Sequence, residues 1–123
     1  MEIQHESPDT RYAIRGYGPG EIRINEKTFT SSVILTLNHL DANWNPPPVR
    51  DWTPATLDPL LALDPEILLL GTGATLHMLG APFLAHALRQ GVGLEVMDTP
   101  AACRTFNILV SEGRRVAAGL IVE

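Results

Sequence analysis

The order of apolar and polar positions divides this chain into a β-rich first third and a remainder in which strands and helices alternate. Glu21-Ile-Arg-Ile-Asn25 alternates with a period of two, the pattern of a half-buried strand. Tyr12 to Tyr17 opens the ordered chain, with turns at Gly18-Pro19-Gly20 and Asn25-Glu26-Lys27. Lys27 to Thr30 and Ser32 to Leu37 read as further strands, the second rich in β-branched residues. Short strands with tight connections predict antiparallel pairing. Met1 to Arg11 is polar and reads as a flexible N-terminal segment, with one domain over residues 12–123.

The later pattern differs. Glu66 to Leu70 is a continuous apolar run of strand length, as expected for a central strand covered on both faces. Gly71-Thr72-Gly73 turns the chain after it. In Pro82 to Gln90, Leu84, Ala87 and Leu88 recur at helical spacing, which predicts an inward apolar stripe. Leu94 to Met97 returns as a strand. A strand–helix–strand unit of this length predicts a parallel pair with a right-handed crossover. Thr99-Pro100 has a capping hydroxyl followed by proline at the first helical position, and Gly113 ends that helix. Its apolar positions are Ala102, Phe106, Leu109 and Val110. Arg115 to Val122 is apolar enough for an internal strand. Thr56 to Leu63 predicts a short helix capped by Thr56 and ended by Asp64-Pro65. The fold class is α/β: a single three-layer domain with a mixed central β-sheet, N-terminal antiparallel strands and flanking helices.

Between the halves, Pro46-Pro47-Pro48 excludes both helix and central strand. Trp44 and Trp52 flank the prolines. They read as anchors pinning a proline strap to the sheet, or alternatively as a candidate partner surface, since tryptophan is frequent at binding hot spots.

Composition narrows the function. The chain has 123 residues and a formal net charge of -5, and Lys27 is its only lysine. That balance lacks the basic footprint of a nucleic-acid binder. No window approaches the ~20 apolar residues of a membrane span, so no membrane insertion is expected. The single cysteine, Cys103, cannot form an internal disulfide, which fits a reducing compartment. A cytoplasmic protein is expected.

Candidate chemistry collects around one glycine turn. Gly71-Thr72-Gly73 resembles the start of the dinucleotide fingerprint, but Leu76 stands where its third glycine belongs, and no lysine follows as in a P-loop. It reads instead as a tight turn able to hold a small anion. Thr99 is expected to cap the helix that follows a parallel strand, at the same sheet edge. Arg104 and Asn107, three apart, can share a helix face. A guanidinium, an amide and hydroxyls around a glycine turn suit a carboxylate or phosphate; an internal hydrogen-bond network is the other reading. Arg104 lies about 7.5 Å along the helix from Thr99, and helical side chains lean toward the N-terminus. Its guanidinium is therefore expected to reach the Gly71 turn. Cys103, beside Arg104, reads as a half-buried filler rather than a nucleophile. His5, His39, His77 and His86 lack metal-ligand spacing. Glu66, Glu95 and Asp98 read as strand-end carboxylates. No catalytic residue, metal or cofactor is assigned.

Ile67-Leu-Leu-Leu-Gly-Thr-Gly73, Gly91-Val-Gly-Leu-Glu-Val-Met-Asp-Thr99, Ala102-Cys-Arg-Thr-Phe-Asn107 and Glu112-Gly-Arg114 together resemble the small Mth-type domain family, from about Gly16 to Val122. That family includes mitochondrial complex I assembly factor three and an adipogenesis-associated cytosolic protein. The resemblance implies a three-layer α/β fold around a mixed sheet, with no established catalytic residue or cofactor. Because the mitochondrial member acts through protein partners, it implies a non-catalytic protein-binding or assembly-factor-like module. The alternative is a small-ligand or anion-binding protein, or an enzyme, using the edge formed by Gly71 to Gly73 and Thr99 to Asn107.

Overall fold

The computed structural model describes residues 10–123. The segment expected to be flexible therefore lies outside the described residues, apart from its last two. Among the described residues, eight strands make two sheets. β1 (Ile14–Gly18), β2 (Glu21–Ile24) and β3 (Lys27–Phe29) form an antiparallel meander. β4 (Val33–Leu35), β5 (Leu40–Asp41), β6 (Ile67–Gly71), β7 (Gly93–Met97) and β8 (Val116–Leu120) form a mixed sheet in the order β5-β4-β8-β6-β7. β6 pairs in parallel with both β7 and β8, while β4 runs antiparallel to β8.

Strand alternation distributes the large sheet's side chains between two cores. Leu69, Val116, Ala118 and Leu120 face the small sheet and α3 (Thr99–Ser111), packing on Ile14, Ile22, Ile24 and Phe106. Leu68, Leu70, Ala117 and Ile34 face the other way. There they meet Trp52, Leu57, Leu60 of α1 (Asp58–Leu61) and Ala87 of α2 (Ala81–Leu88). The layers are thus α3 with the small sheet, the mixed sheet, and the strap with α1 and α2. This is why Leu68 to Leu70 is apolar without interruption: successive side chains enter different cores.

Several local expectations shift. The central strand starts at Ile67 and includes Gly71, whose partners are Met97 and Leu120. Glu66 precedes it. The expected helix from Thr56 is a 3-10 turn over Pro54–Leu57 followed by the single turn of α1. Thr53, not Thr56, stands at its N-cap, and Thr56 Oγ1 accepts from Thr53 N at 3.0 Å. Asp98 rather than Thr99 caps α3, its carboxylate accepting from Ala101 N at 2.8 Å. Gly113 ends α3 with a φ of +78°, the left-handed geometry that glycine adopts without a Cβ clash. The stripe on α2 is the largest departure: Ala87 is buried, but Leu84 and Leu88 are 53% and 68% exposed. Only one narrow face of this two-turn helix meets the sheet, because its opposite flank overhangs the sheet edge.

Candidate functional site

The carboxyl ends of β6, β7 and β8 converge on Thr99. Its side chain is 8% exposed. Its hydroxyl donates to Ile121 O at 2.7 Å and accepts from Gly73 N at 2.9 Å. Its backbone N donates to Gly73 O at 2.8 Å. One threonine at the first position of α3 therefore ties the ends of β6 and β8 to the helix. Gly71 makes this approach possible, since an added Cβ would stand 2.9 Å from both Thr99 Cα and Thr99 Oγ1. Thr72, buried beside it, donates through its hydroxyl to Thr75 O at 2.9 Å and accepts from His77 N at 2.9 Å.

The amides of the turn are all engaged within the chain. Thr72 N donates to Met97 O at 2.9 Å, Gly73 N to Thr99 Oγ1, and Ala74 N to Glu123 Oε1 at 3.3 Å. Gly73, with a φ of +105°, could not carry a Cβ without meeting that same carboxylate. Beside the turn lies a cavity of about 360 Å³, lined by Tyr17, Pro19, Pro100 and Val122 and by the carboxylates Glu21 and Glu123. A largely apolar hollow with two acids at its wall is a poor cradle for an anion.

Gly71, Thr72, Gly73 and Thr99 are brought together as expected. Arg104 and Asn107 are not part of that cluster. Arg104 Nη1 donates to Tyr17 Oη at 2.6 Å, and its guanidinium carbon lies 5.9 Å from the centre of the Tyr17 ring. Five residues after Thr99, it is rotated about 140° around the helix from the hydroxyl that faces the turn. It therefore reaches β1 and not the glycines. Asn107 also turns to β1: Oδ1 accepts from Ile14 N at 3.1 Å and Nδ2 donates to Ile14 O at 2.7 Å. Both residues dock the small sheet onto α3. Cys103, immediately before Arg104, is 1% exposed, and its burial pushes the thiol up to about 12 against the opposing pull of the Arg104 cation.

The tryptophans form the strap's anchor. Trp52 is 6% exposed, so its ring is not available as a recognition surface. Its Nε1 donates to Pro47 O at 2.9 Å, satisfying the indole as it enters the core. Trp44, half-buried, lies against it with ring centroids 6.1 Å apart and planes tilted by 52°. The exposed apolar surface lies elsewhere: Leu76, Met78, Leu84 and Leu88, on the loop before α2 and on α2 itself. Leu84 and Leu88 are expected from their helical spacing to face inward, and Leu76 and Met78 are not expected to form a surface. Their signal in the sequence is the run 67–94, which contains no carboxylate in a chain of net charge -5.

This arrangement defines a small three-layer α/β domain of the kind described as Mth938-like. A Bordetella parapertussis protein of known crystal structure is 36% identical, with a TM-score of 0.87 over 95% of this chain and 100% of that one. The solution structure of a Bordetella pertussis protein described as a Mth938-like domain is 31% identical, with a TM-score of 0.78 over 99% of this chain and 92% of that one. The chain belongs to the family described as protein of unknown function DUF498/DUF598, whose model matches residues 14–121. Among curated proteins it is 36% identical, over 98% of its length, to NADH dehydrogenase [ubiquinone] 1 alpha subcomplex assembly factor 3 of Danio rerio. It spans about two thirds of the length of these vertebrate relatives, 70% of the Danio rerio protein and 65% of the Homo sapiens one. No helix among the described residues is long and apolar enough to cross a membrane.

Proposed function

We propose that this chain is a non-catalytic protein-binding module, an assembly-factor-like domain that works by holding a protein partner. The observation that carries the reading is how its polar and apolar groups are disposed. The turn where an α/β sheet ordinarily receives a ligand is closed from within by Thr99 and Glu123. Apolar side chains are instead left open on one face: four of the six large exposed ones among the described residues fall between Leu76 and Leu88. Such clustering marks interaction surfaces. The vertebrate relatives named as NADH dehydrogenase assembly factors support the same reading and suggest subunits of that respiratory complex as the partner class. A cytoplasmic placement accompanies it. The anion-binding alternative would have to displace in-chain partners from all three turn amides.

The test is reciprocal capture. The tagged chain should recover a reproducible partner, and that partner, tagged in turn, should recover the chain. Cells lacking the chain should accumulate less of the assembled NADH dehydrogenase on native gels. Unchanged assembly together with no reciprocal partner would overturn the proposal.

A further inference from the structure

The face around Leu84 and Leu88 borders an open sheet edge. β7 is one of the two edge strands of the mixed sheet, β5 being the other. Gly93 N donates to Glu66 O at 3.0 Å, and Met97 O accepts from Thr72 N at 2.9 Å. In a parallel ladder, alternate residues turn both backbone groups toward the same neighbour. Gly93, Glu95 and Met97 are therefore committed to β6. The N–H and C=O groups of Leu94 and Val96 point outward, with no backbone partner among the described residues.

Two helices frame that edge. On one face, Leu60 of α1 lies over Gly119 of β8, and α2 lies over β7. His86 of α2 meets Asp58 of α1 at 2.7 Å, so the His86 flank looks inward across the sheet. Leu84 and Leu88 are each about 160° around the helix from His86. They overhang the outer side of β7. On the other face, Glu95 is exposed, and Thr105 Oγ1 donates to Met97 Sδ at 3.3 Å. Glu112, also exposed, follows two turns later on the same flank of α3. The edge thus has an apolar ledge above it and carboxylates below it.

We propose that β7 accepts an extended segment of a protein partner as a sixth strand. The segment alternates apolar side chains, which pack under Leu84 and Leu88, with basic ones, which face Glu95. Strand addition of this kind takes its affinity from main-chain bonds and its specificity from alternate side chains. A helix or a lipid surface would cover the leucines but leave the Leu94 and Val96 backbone unpaired. A second copy of this chain fits poorly: antiparallel β7–β7 pairing over Gly93–Met97 sets Glu95 against Glu95, and directly opposed like charges destabilise a strand pair. This inference deepens the protein-binding reading and rests on it.

The probe is a short synthetic peptide alternating valine and lysine, added to the intact chain and followed by amide exchange in NMR spectra. The Leu94 and Val96 amides should slow by roughly tenfold or more at saturation, the change expected of about 1.4 kcal/mol of protection. Val96→Pro removes an N–H that the fold does not use, so it should leave the spectrum folded and abolish this binding. Glu95→Lys should shift preference from the valine–lysine peptide to a valine–glutamate one. A backbone N-methylated peptide, which leaves the protein untouched, should not bind. Binding that ignores Val96→Pro or N-methylation overturns strand addition in favour of side-chain docking. Absence of protection at saturation overturns it outright. Protection of Leu94 and Val96 that appears without peptide as protein concentration rises assigns the edge to a second copy and also overturns it. If Val96→Pro still captures the reciprocal partner, this inference fails while the assembly reading stands.

Discussion

Asn107 holds Ile14 by both sides of its backbone, its amide oxygen accepting from Ile14 N and its amide nitrogen donating to Ile14 O. The side chain thereby bonds the strand much as a neighbouring strand would, fastening α3 to the small sheet across 93 residues of sequence. Asn107→Ala leaves both backbone groups of a partly buried strand without that partner. It should cost about 1–3 kcal/mol, the usual penalty for orphaned polar groups. Urea unfolding should show a lower midpoint, with loss of protection concentrated in β1.

Gly71 and Gly119 offer a controlled comparison. A Cβ on Gly71 would meet the backbone and hydroxyl of Thr99 at 2.9 Å and Ala102 Cβ at 3.1 Å. A Cβ on Gly119 would meet Leu60 Cδ2 at 2.7 Å and Trp44 Cη2 at 2.9 Å, both the ends of side chains and not backbone. Gly71→Ala should therefore destabilise by about 1–3 kcal/mol, the range for overpacking a filled site. Gly119→Ala should cost less, and thermal melting of the two variants side by side checks the order.

Cys103 should behave as a reporter of unfolding. Its thiol is buried and pushed up to about 12. The reactive thiolate is therefore scarce near neutral pH. Iodoacetamide should label the native protein very slowly and the urea-unfolded protein at the rate of an ordinary cysteine. Fast labelling of the native protein would contradict the packing around Phe106.

Glu66 predicts an acid-sensitive contribution. The backbone N–H of Arg115, donating at 2.9 Å, and then the Arg114 guanidinium hold its carboxyl below the ordinary value of 4.5. A carboxylate lowered on folding stabilises the native state above its unfolded value, and that contribution is lost as pH falls through the native one. Glu66→Gln should accordingly be less stable than the parent at neutral pH, with the difference closing below 4.5. Urea midpoints across that range give the measurement.

Trp52 should prove structural. Its buried ring and its bond to Pro47 O hold the strap, so Trp52→Ala should cost about 3–5 kcal/mol, as large aromatic truncations do. Trp52→Phe should recover most of the packing but not the hydrogen bond, and denaturant midpoints of the two variants separate these contributions.

The sequence by itself determined the α/β layering, the antiparallel opening, the parallel pairing of β6 with β7 and the glycine end of α3, and it placed the start of that helix one residue late, with the cap at Thr99 instead of Asp98. These follow from local physics: period-two and period-3.6 burial, proline and glycine at positions where few other residues fit, and crossover geometry. It also located the cluster of Gly71, Thr72, Gly73 and Thr99, because those residues lie at the carboxyl ends of strands it had identified. Only the tertiary structure decided where Arg104 and Asn107 point, since a rotation of about 100° per residue sends α3 side chains to different neighbours and the small sheet's position is not encoded locally. Only the tertiary structure decided that Leu84 and Leu88 face outward. A helical stripe specifies one apolar face but not whether a sheet lies beneath all of it, and α2 rests on an edge strand, where the sheet ends.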